Sequence, residues 1–411
     1  MRRIGYKWTL LAFLFVTFFL EQGTRQIYNA ALPQIKIDFL KSGVTDAQLG
    51  AVGSVFGAVF GLSLVGSGLA ADFFGRKRVL VLGTLIFSAG VFFSGFAVGF
   101  MALVAFYGVM NALGQCCIAP SCYSLISQHH DVSTRATAMA VFQSALYLGL
   151  IISGGFAGVL AEMGDGGWRW AFWLMGGLGI VWAMGMQRGL RDTPPEASGS
   201  EKPSVKEAFM ALLGKPTAIL IALSFGMFMY AQLGIRLWTP MFMVREFEDV
   251  GVARAAFHSV LWLNGGALVG SLVTARLMER LGARRPSIRL EVSLAGLVLC
   301  VVPVLLVAGA RTFAGCCVAL GAFGLVYGVY EAAHYPAMFD CIVPRYRSAC
   351  TGITGCWAFL FGSAAPAVLG WMNDHLSMRA GFASLSAFYL AGALILLPAV
   401  LVFFRKDRVE Q

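Results

Sequence analysis

The chain has 411 residues, 58% of them hydrophobic and only 13% charged, with 49 glycines and a formal net charge of +10. A soluble protein carries about 25% charged residues, so this composition excludes an ordinary soluble domain. Apolar runs of about 18 residues or more, enough to cross a bilayer core of about 30 Å, recur from end to end. An all-α membrane protein with twelve spans is expected, centred near residues 24, 59, 89, 114, 148, 178, 230, 267, 299, 326, 360 and 392.

In chain order, the opening "MRRIGYKWTLLAFLFVTFFL" sets basic residues ahead of an apolar run, as a signal peptide does. No small-x-small cleavage site follows and the apolar pattern continues past residue 30, so a retained first helix is expected. Within it, "FFLEQGTRQIYNAALP" places Glu21 and Arg25 in mid-span. An arginine at the bilayer centre costs at least about 2.5–3.5 kcal/mol, so Arg25 is expected to face the bundle interior or a water-filled cavity. Glu21 lies one turn earlier on the same face, in the favourable acid-before-base order. An ion bridge that only fixes packing is the plain alternative. An anion-binding arginine with Glu21 as its resting partner is preferred, because Tyr28 and Asn29 add polar groups where a packing face is apolar.

The second span carries Gly53, Gly57 and Gly61 at four-residue spacing, a row along which another helix can pack closely. The loop "GLAADFFGRKRVL" leads to the third span, and the fourth contains "GQCCIAP", with Gln115 five residues before Pro120. The long polar stretch "QRGLRDTPPEASGSEKPSVKEA" is read as a solvated linker. It divides the chain into an N-terminal bundle (1–187), a linker (188–215), a C-terminal bundle (216–404) and a tail (405–411). The seventh span, "YAQLGIRLWTP", contains Gln232 and Arg236, and the tenth, "VYEAAHYP", contains Glu331 and, one turn on, His334. An intramembrane acid is a candidate proton carrier; the alternative for Glu331 is a structural partner of Arg236, and for His334 a hydrogen-bonded core histidine. The nine cysteines lie inside apolar runs with no zinc or disulfide spacing and are read as packing residues. No metal or cofactor is expected.

Most of the 31 lysines and arginines fall on one side of the predicted spans, in the N-terminal tail, "GRKR", the linker, "ERLGARRPSIR", "PRYR" and "RKDR". That asymmetry puts both termini in the cytoplasm and accounts for the net charge through anionic membrane lipids, without nucleic acid. The two halves also repeat. At one constant offset Pro33 meets Pro240, Gly75 meets Gly282, "GRKR" meets "GARR" and Asp72 meets Glu279; at a slightly longer one Pro120 meets Pro336. Two parallel six-helix repeats form a transporter architecture, with its binding site expected near the midplane between them.

Gly68-x-x-x-Asp72-x-x-Gly75-Arg76-Lys77 resembles the signature loop of the major facilitator superfamily. The resemblance extends over the twelve spans, the central linker, the weaker loop after span eight and "GWRWAF" ahead of span six, with Phe73 standing where the family usually has a basic residue. It implies a gating role for Asp72, Gly75, Arg76, Lys77 and Glu279, which in the family hold the cytoplasmic side closed when the outside is open. Arg25, eight residues before Pro33, is similar to an arginine of the organophosphate, organic-anion and spinster-like branches. The organophosphate exchangers place an arginine eight residues before the span-seven proline as well; here that position is Gln232, with Arg236 one turn along, which favours carboxylates over phosphate esters. Organic-anion and spinster-like relatives often carry an acid five residues before the span-four proline for proton coupling. Here Gln115 stands there and the acid is at its mirror, Glu331. Tyr107 replaces the family's span-four arginine, and Gly154-Gly155 replaces the Gly-Pro of drug–proton antiporters, both against multidrug efflux. Tyr28, Tyr147, Tyr230, Trp238, Trp262, Tyr327, Tyr330 and Trp357 lie in spans that line the cavity in relatives and suit an organic body beside an anionic group.

The expected function is therefore proton-coupled symport of a small organic anion, by a monomer in a bacterial inner membrane. Arg25 and Arg236 are expected to hold the anionic group, with Tyr28, Asn29, Gln115, Gln232, Tyr330 and Trp357 around it. Glu331, Glu21 and His334 are the candidate proton carriers. The alternatives are spinster-like movement of a lysolipid or other amphipathic anion, and a sensor that binds without transporting. No nucleophile motif, metal cluster or phosphate loop suggests an enzyme.

Overall fold

The computed structural model describes residues 5–39, 42–191, 205–282 and 287–408, and among these every regular element is helical. Ten helices are long and apolar enough to cross a membrane. The first (Tyr6–Phe39, 34 residues) and sixth (Trp168–Gly189, 22 residues) complete the expected twelve. These two are less apolar for visible reasons: the first holds Glu21, Arg25, Lys36 and Asp38, and the sixth is rich in tryptophan.

Local chemistry sets the helix ends. The second helix (Asp46–Phe74) starts with a capping box, in which the Thr45 hydroxyl accepts from the Gln48 amide (3.2 Å) and Gln48 Oε1 accepts from the Thr45 amide (3.0 Å). Thr312 and Ser377 cap the tenth and twelfth helices through the amides of Gly315 and Ala380. Gly75 joins the second helix to the third (Arg76–Ser94) at φ 85°, a backbone region that L side chains rarely enter. The glycine of the signature loop is thus required by the turn itself.

The chain groups into two compact units: Met1–Ala197 with Pro240–Phe257, and Ser198–Thr239 with His258–Gln411. They are called the first and second halves below. In the first, the opening helix packs along the fifth (Val132–Ala161), and the third along the sixth. In the second, the ninth helix (Ile288–Gly309) packs on the tenth (Phe313–Phe339) and on the twelfth (Met378–Asp407). The expected solvated linker carries one regular element among the described residues. Val205–Leu213 is a short helix that buries Ala208 and Leu212 and exposes Phe209 and Met210, while residues 192–204 lie outside the described residues. The apolar residues of "SVKEAFMALL" recur at helical spacing, a pattern outweighed in the sequence by the surrounding prolines and charges.

The eighth (Val252–Gly282) and tenth helices approach backbone to backbone. A Cβ at Gly328 would sit 2.2 Å from the Ala267 carbonyl oxygen, and one at Gly324 2.2 Å from that of Leu263. Gly328→Ala must push the helices apart, at an overpacking cost of about 1–3 kcal/mol. We expect a lower unfolding temperature in detergent than wild type, whereas Gly309→Ala, which meets nothing within 4 Å, leaves it unchanged.

Candidate functional site

The fourth span (Phe100–His129) is irregular, and its irregularity builds the first cluster. A π-helical stretch, Val104–Asn111, is followed by Ala112–Gln115, a break at Cys116–Cys117, and Ile118–His129. Such π segments often mark functional sites. Here the wide turn directs Tyr107, Asn111 and Gln115 at the first helix. The Tyr107 hydroxyl donates to the Arg25 carbonyl (3.0 Å), and Gln115 Nε2 donates to Asn111 Oδ1 (2.9 Å) and Thr24 Oγ1 (3.0 Å). Gln115 Oε1, in turn, accepts from Arg25 Nε at 2.6 Å.

Arg25 is held on a second side by Glu21, with Nη2 2.5 Å from Oε1, while the other carboxylate oxygen accepts from Gln22 Nε2 (2.7 Å). Glu21 is buried, at 1% side-chain exposure, whereas the Arg25 side chain is 23% exposed. Charge-assisted bonds of this kind are among the stronger ones available. The guanidinium lies 4.4 Å from the ring centroid of Phe60 and 5.8 Å from that of Phe56, within cation–π range. Among the described residues, Nη1 has no hydrogen-bond partner. The arginine therefore has two fixed nitrogens, one free nitrogen and partial access, a geometry suited to accepting an anion.

Neighbouring expected residues are placed differently from one another. Tyr28 is fully buried, its hydroxyl donating to the Leu49 carbonyl (2.8 Å) and its ring stacked on Tyr107 (4.7 Å). Asn29 is partly exposed and donates weakly to Gln26 Oε1 (3.3 Å). Of this cluster, sequence reasoning named Arg25, Tyr28, Asn29 and Gln115 for the anion and Glu21 as the resting partner of Arg25 and a proton carrier. It missed Asn111 and the phenylalanines of the second helix, for which no polar motif existed.

The second half carries its own cluster. Arg236 Nη2 donates to the Tyr327 hydroxyl (3.1 Å), and the Glu331 carboxylate interacts electrostatically with both groups. Tyr327 is buried beneath Phe228, ring centroids 5.4 Å apart, while Glu331 is exposed. The hydroxyl and the two opposite charges form one polar cluster. His334 is buried between Phe225 and Tyr330, and its Nε2 has no partner. Gln232, the sequence mirror of Arg25, is 2% exposed with neither amide atom paired. Tyr330 is fully buried, Trp357 is exposed, and Trp238 is committed to the Pro366 carbonyl.

Of the expected gating residues, Gly75 forms the turn, and Arg76 and Lys77 open the third helix. The side chains of Asp72 and Glu279 lie outside the described residues. A charged node that the sequence did not suggest sits at Asp46, which is 1% exposed and takes Lys36 Nζ at 3.1 Å and Arg245 Nη1 at 2.6 Å. Its signal was only an acid after a capping threonine.

A family model described as Major Facilitator Superfamily matches residues 14–338. The chain belongs to the major facilitator superfamily. Relatives in this superfamily include an MFS-type efflux pump of Mycolicibacterium smegmatis, 24% identical over 409 residues and covering 95% of this chain and 92% of that protein. The hexuronate transporter of Bacillus subtilis is 23% identical over 412 residues, covering 96% and 94%. Among solved structures, a bacterial homolog to the human lysosomal transporter Spinster superposes with a TM-score of 0.85 at 19% identity, covering 99% of both chains. That likeness carries the superfamily fold. The chain is an integral membrane transporter and not an enzyme.

Proposed function

We propose that the chain carries a small organic anion across the membrane by alternating access, in symport with protons, with Arg25 as the anion-binding group. The observation that supports this reading is Arg25 itself, a mid-span cation held by Glu21 and Gln115 with Nη1 unbonded and the side chain partly accessible. An anion arriving at Nη1 competes with Glu21 for the guanidinium and so couples binding to a change in the first helix. Transport requires that substrate and proton bind the two access states unequally. In the second half, Glu331 is the proton carrier, in the electrostatic field of Arg236. Similarity to a protein named for hexuronate, an organic anion, supports the same substrate class. The basic loops support cytoplasmic termini in a bacterial inner membrane.

Proteoliposome uptake tests the reading. Labelled organic carboxylates are expected to accumulate when an inward proton gradient is imposed and to stop accumulating when it is collapsed. Binding without accumulation in either direction would identify a sensor, and accumulation of neutral amphiphiles alone would remove the anion.

A further inference from the structure

Resting on the anion reading, we infer that the Arg25 site is built for a carboxylate carried on a flat, unsaturated body, an aryl carboxylate, in preference to a saturated or polyhydroxylated acid. The first support is an aromatic ladder. From Phe60 under the guanidinium (4.4 Å), rings follow at Phe56 (6.0 Å, 13° between planes), Tyr107 (5.6 Å, 29°) and Tyr28 (4.7 Å, 28°). The four rings lie within 30° of their neighbours; Phe60, Tyr107 and Tyr28 are buried and back Phe56, the ring of the four that is only partly buried. A planar body whose carboxylate meets Nη1 can lie on Phe56, 5.8 Å from the guanidinium, in offset-stacked contact.

The second support is independent of the rings. Most of the polar groups beside Arg25 are already engaged within the first half, with Asn111 Nδ2 the buried exception among the described residues of this cluster. The Gln115 amide is used at both ends, the hydroxyls of Tyr28 and Tyr107 donate to Leu49 and Arg25 carbonyls, and the Thr24 hydroxyl donates to the Glu21 carbonyl (2.9 Å). The several hydroxyls of a sugar acid buried there give up water and outnumber the groups left to meet them, Asn111 Nδ2 and Asn29, which is unfavourable. A carboxylate needs one strong partner, and an aryl ring needs none.

The test compares benzoate, cyclohexanecarboxylate and glucuronate by titration against the purified full chain, following thermal stabilisation and calorimetric binding. The three share one carboxylate and differ in flatness and hydroxyl count. Benzoate is expected to bind about fivefold more tightly than cyclohexanecarboxylate, with glucuronate weakest. Phe56→Leu should bring the two ring acids to within about twofold by weakening benzoate alone, as expected of a lost stacking face. Tighter binding of glucuronate than benzoate, or a gap that survives Phe56→Leu in folded protein, overturns the inference and leaves the anion reading standing. If none of the three binds, or all bind equally well to the Glu21→Gln/Arg25→Gln protein, the anion reading fails and takes this inference with it.

Discussion

Neutralising both members of the first-helix pair, as Glu21→Gln with Arg25→Gln, is expected to reduce anion uptake to the background of empty liposomes while the protein still inserts and elutes as a folded species. The double change is needed for a physical reason. Glu21 is buried, and removing only its cation strands a carboxylate in the interior, at a cost of about 3–5 kcal/mol. Arg25→Ala alone should likewise abolish uptake, but with a lowered unfolding temperature. The double variant keeps hydrogen-bonding groups at both positions and removes only charge, so it separates transport from stability. Arg25→Lys completes the series: a lysine retains the charge but offers no planar fork to span Gln115 and Glu21 and to lie over Phe60. Uptake by that variant should fall at least about tenfold, the effect of about 1.4 kcal/mol. Normal uptake by the double variant would remove Arg25 from the transport mechanism.

Glu331→Gln is expected to abolish gradient-driven accumulation while sparing counterflow exchange of substrate between the two sides. Glutamine keeps the size and polarity of the side chain, so only the titrating charge beside Arg236 is lost. Uptake by this variant should become insensitive to an imposed pH difference, whereas wild-type uptake rises with an inward proton gradient. Tyr327→Phe removes the hydroxyl that accepts from Arg236. It should weaken coupling without abolishing binding, read as a lower ratio of gradient-driven to exchange flux. Unchanged accumulation in Glu331→Gln would assign the proton to another group, with Glu21 and the buried His334 next to be tested.

Among the gating residues, only part of the expected set can be compared with structure. Gly75 explains itself through its positive φ, and the basic pair that follows opens a helix. The acid of the loop and its mirror rest on side chains outside the described residues. The Asp46 node, with Lys36 and Arg245, is a charged contact of comparable quality that no motif announced. Its partners are far apart in the chain, and an acid after a threonine cap reads equally well as helix-dipole chemistry.

By itself the sequence determined what depends on near neighbours along the chain. Span number and position follow from run length in a solvent of fixed thickness. The Glu21–Arg25 pair follows from i,i+4 spacing on one helix, and the superfamily from a loop whose glycine is dictated by local φ. Only the tertiary structure decided the rest. Whether Gln115 meets Arg25 depends on a π-helical register in the fourth span that composition does not encode. The Arg236–Tyr327 hydrogen bond depends on which face of the tenth helix meets the seventh. Tyr28 and Trp238 read as binding aromatics, yet each buries its polar atom on a backbone carbonyl. Gln232 mirrors Arg25 in register but stays unpaired and nearly sealed. The physical reason is common to all four: hydropathy sorts residues between lipid and protein, but partners within the protein are chosen by side-chain geometry across helices, which no single helix contains.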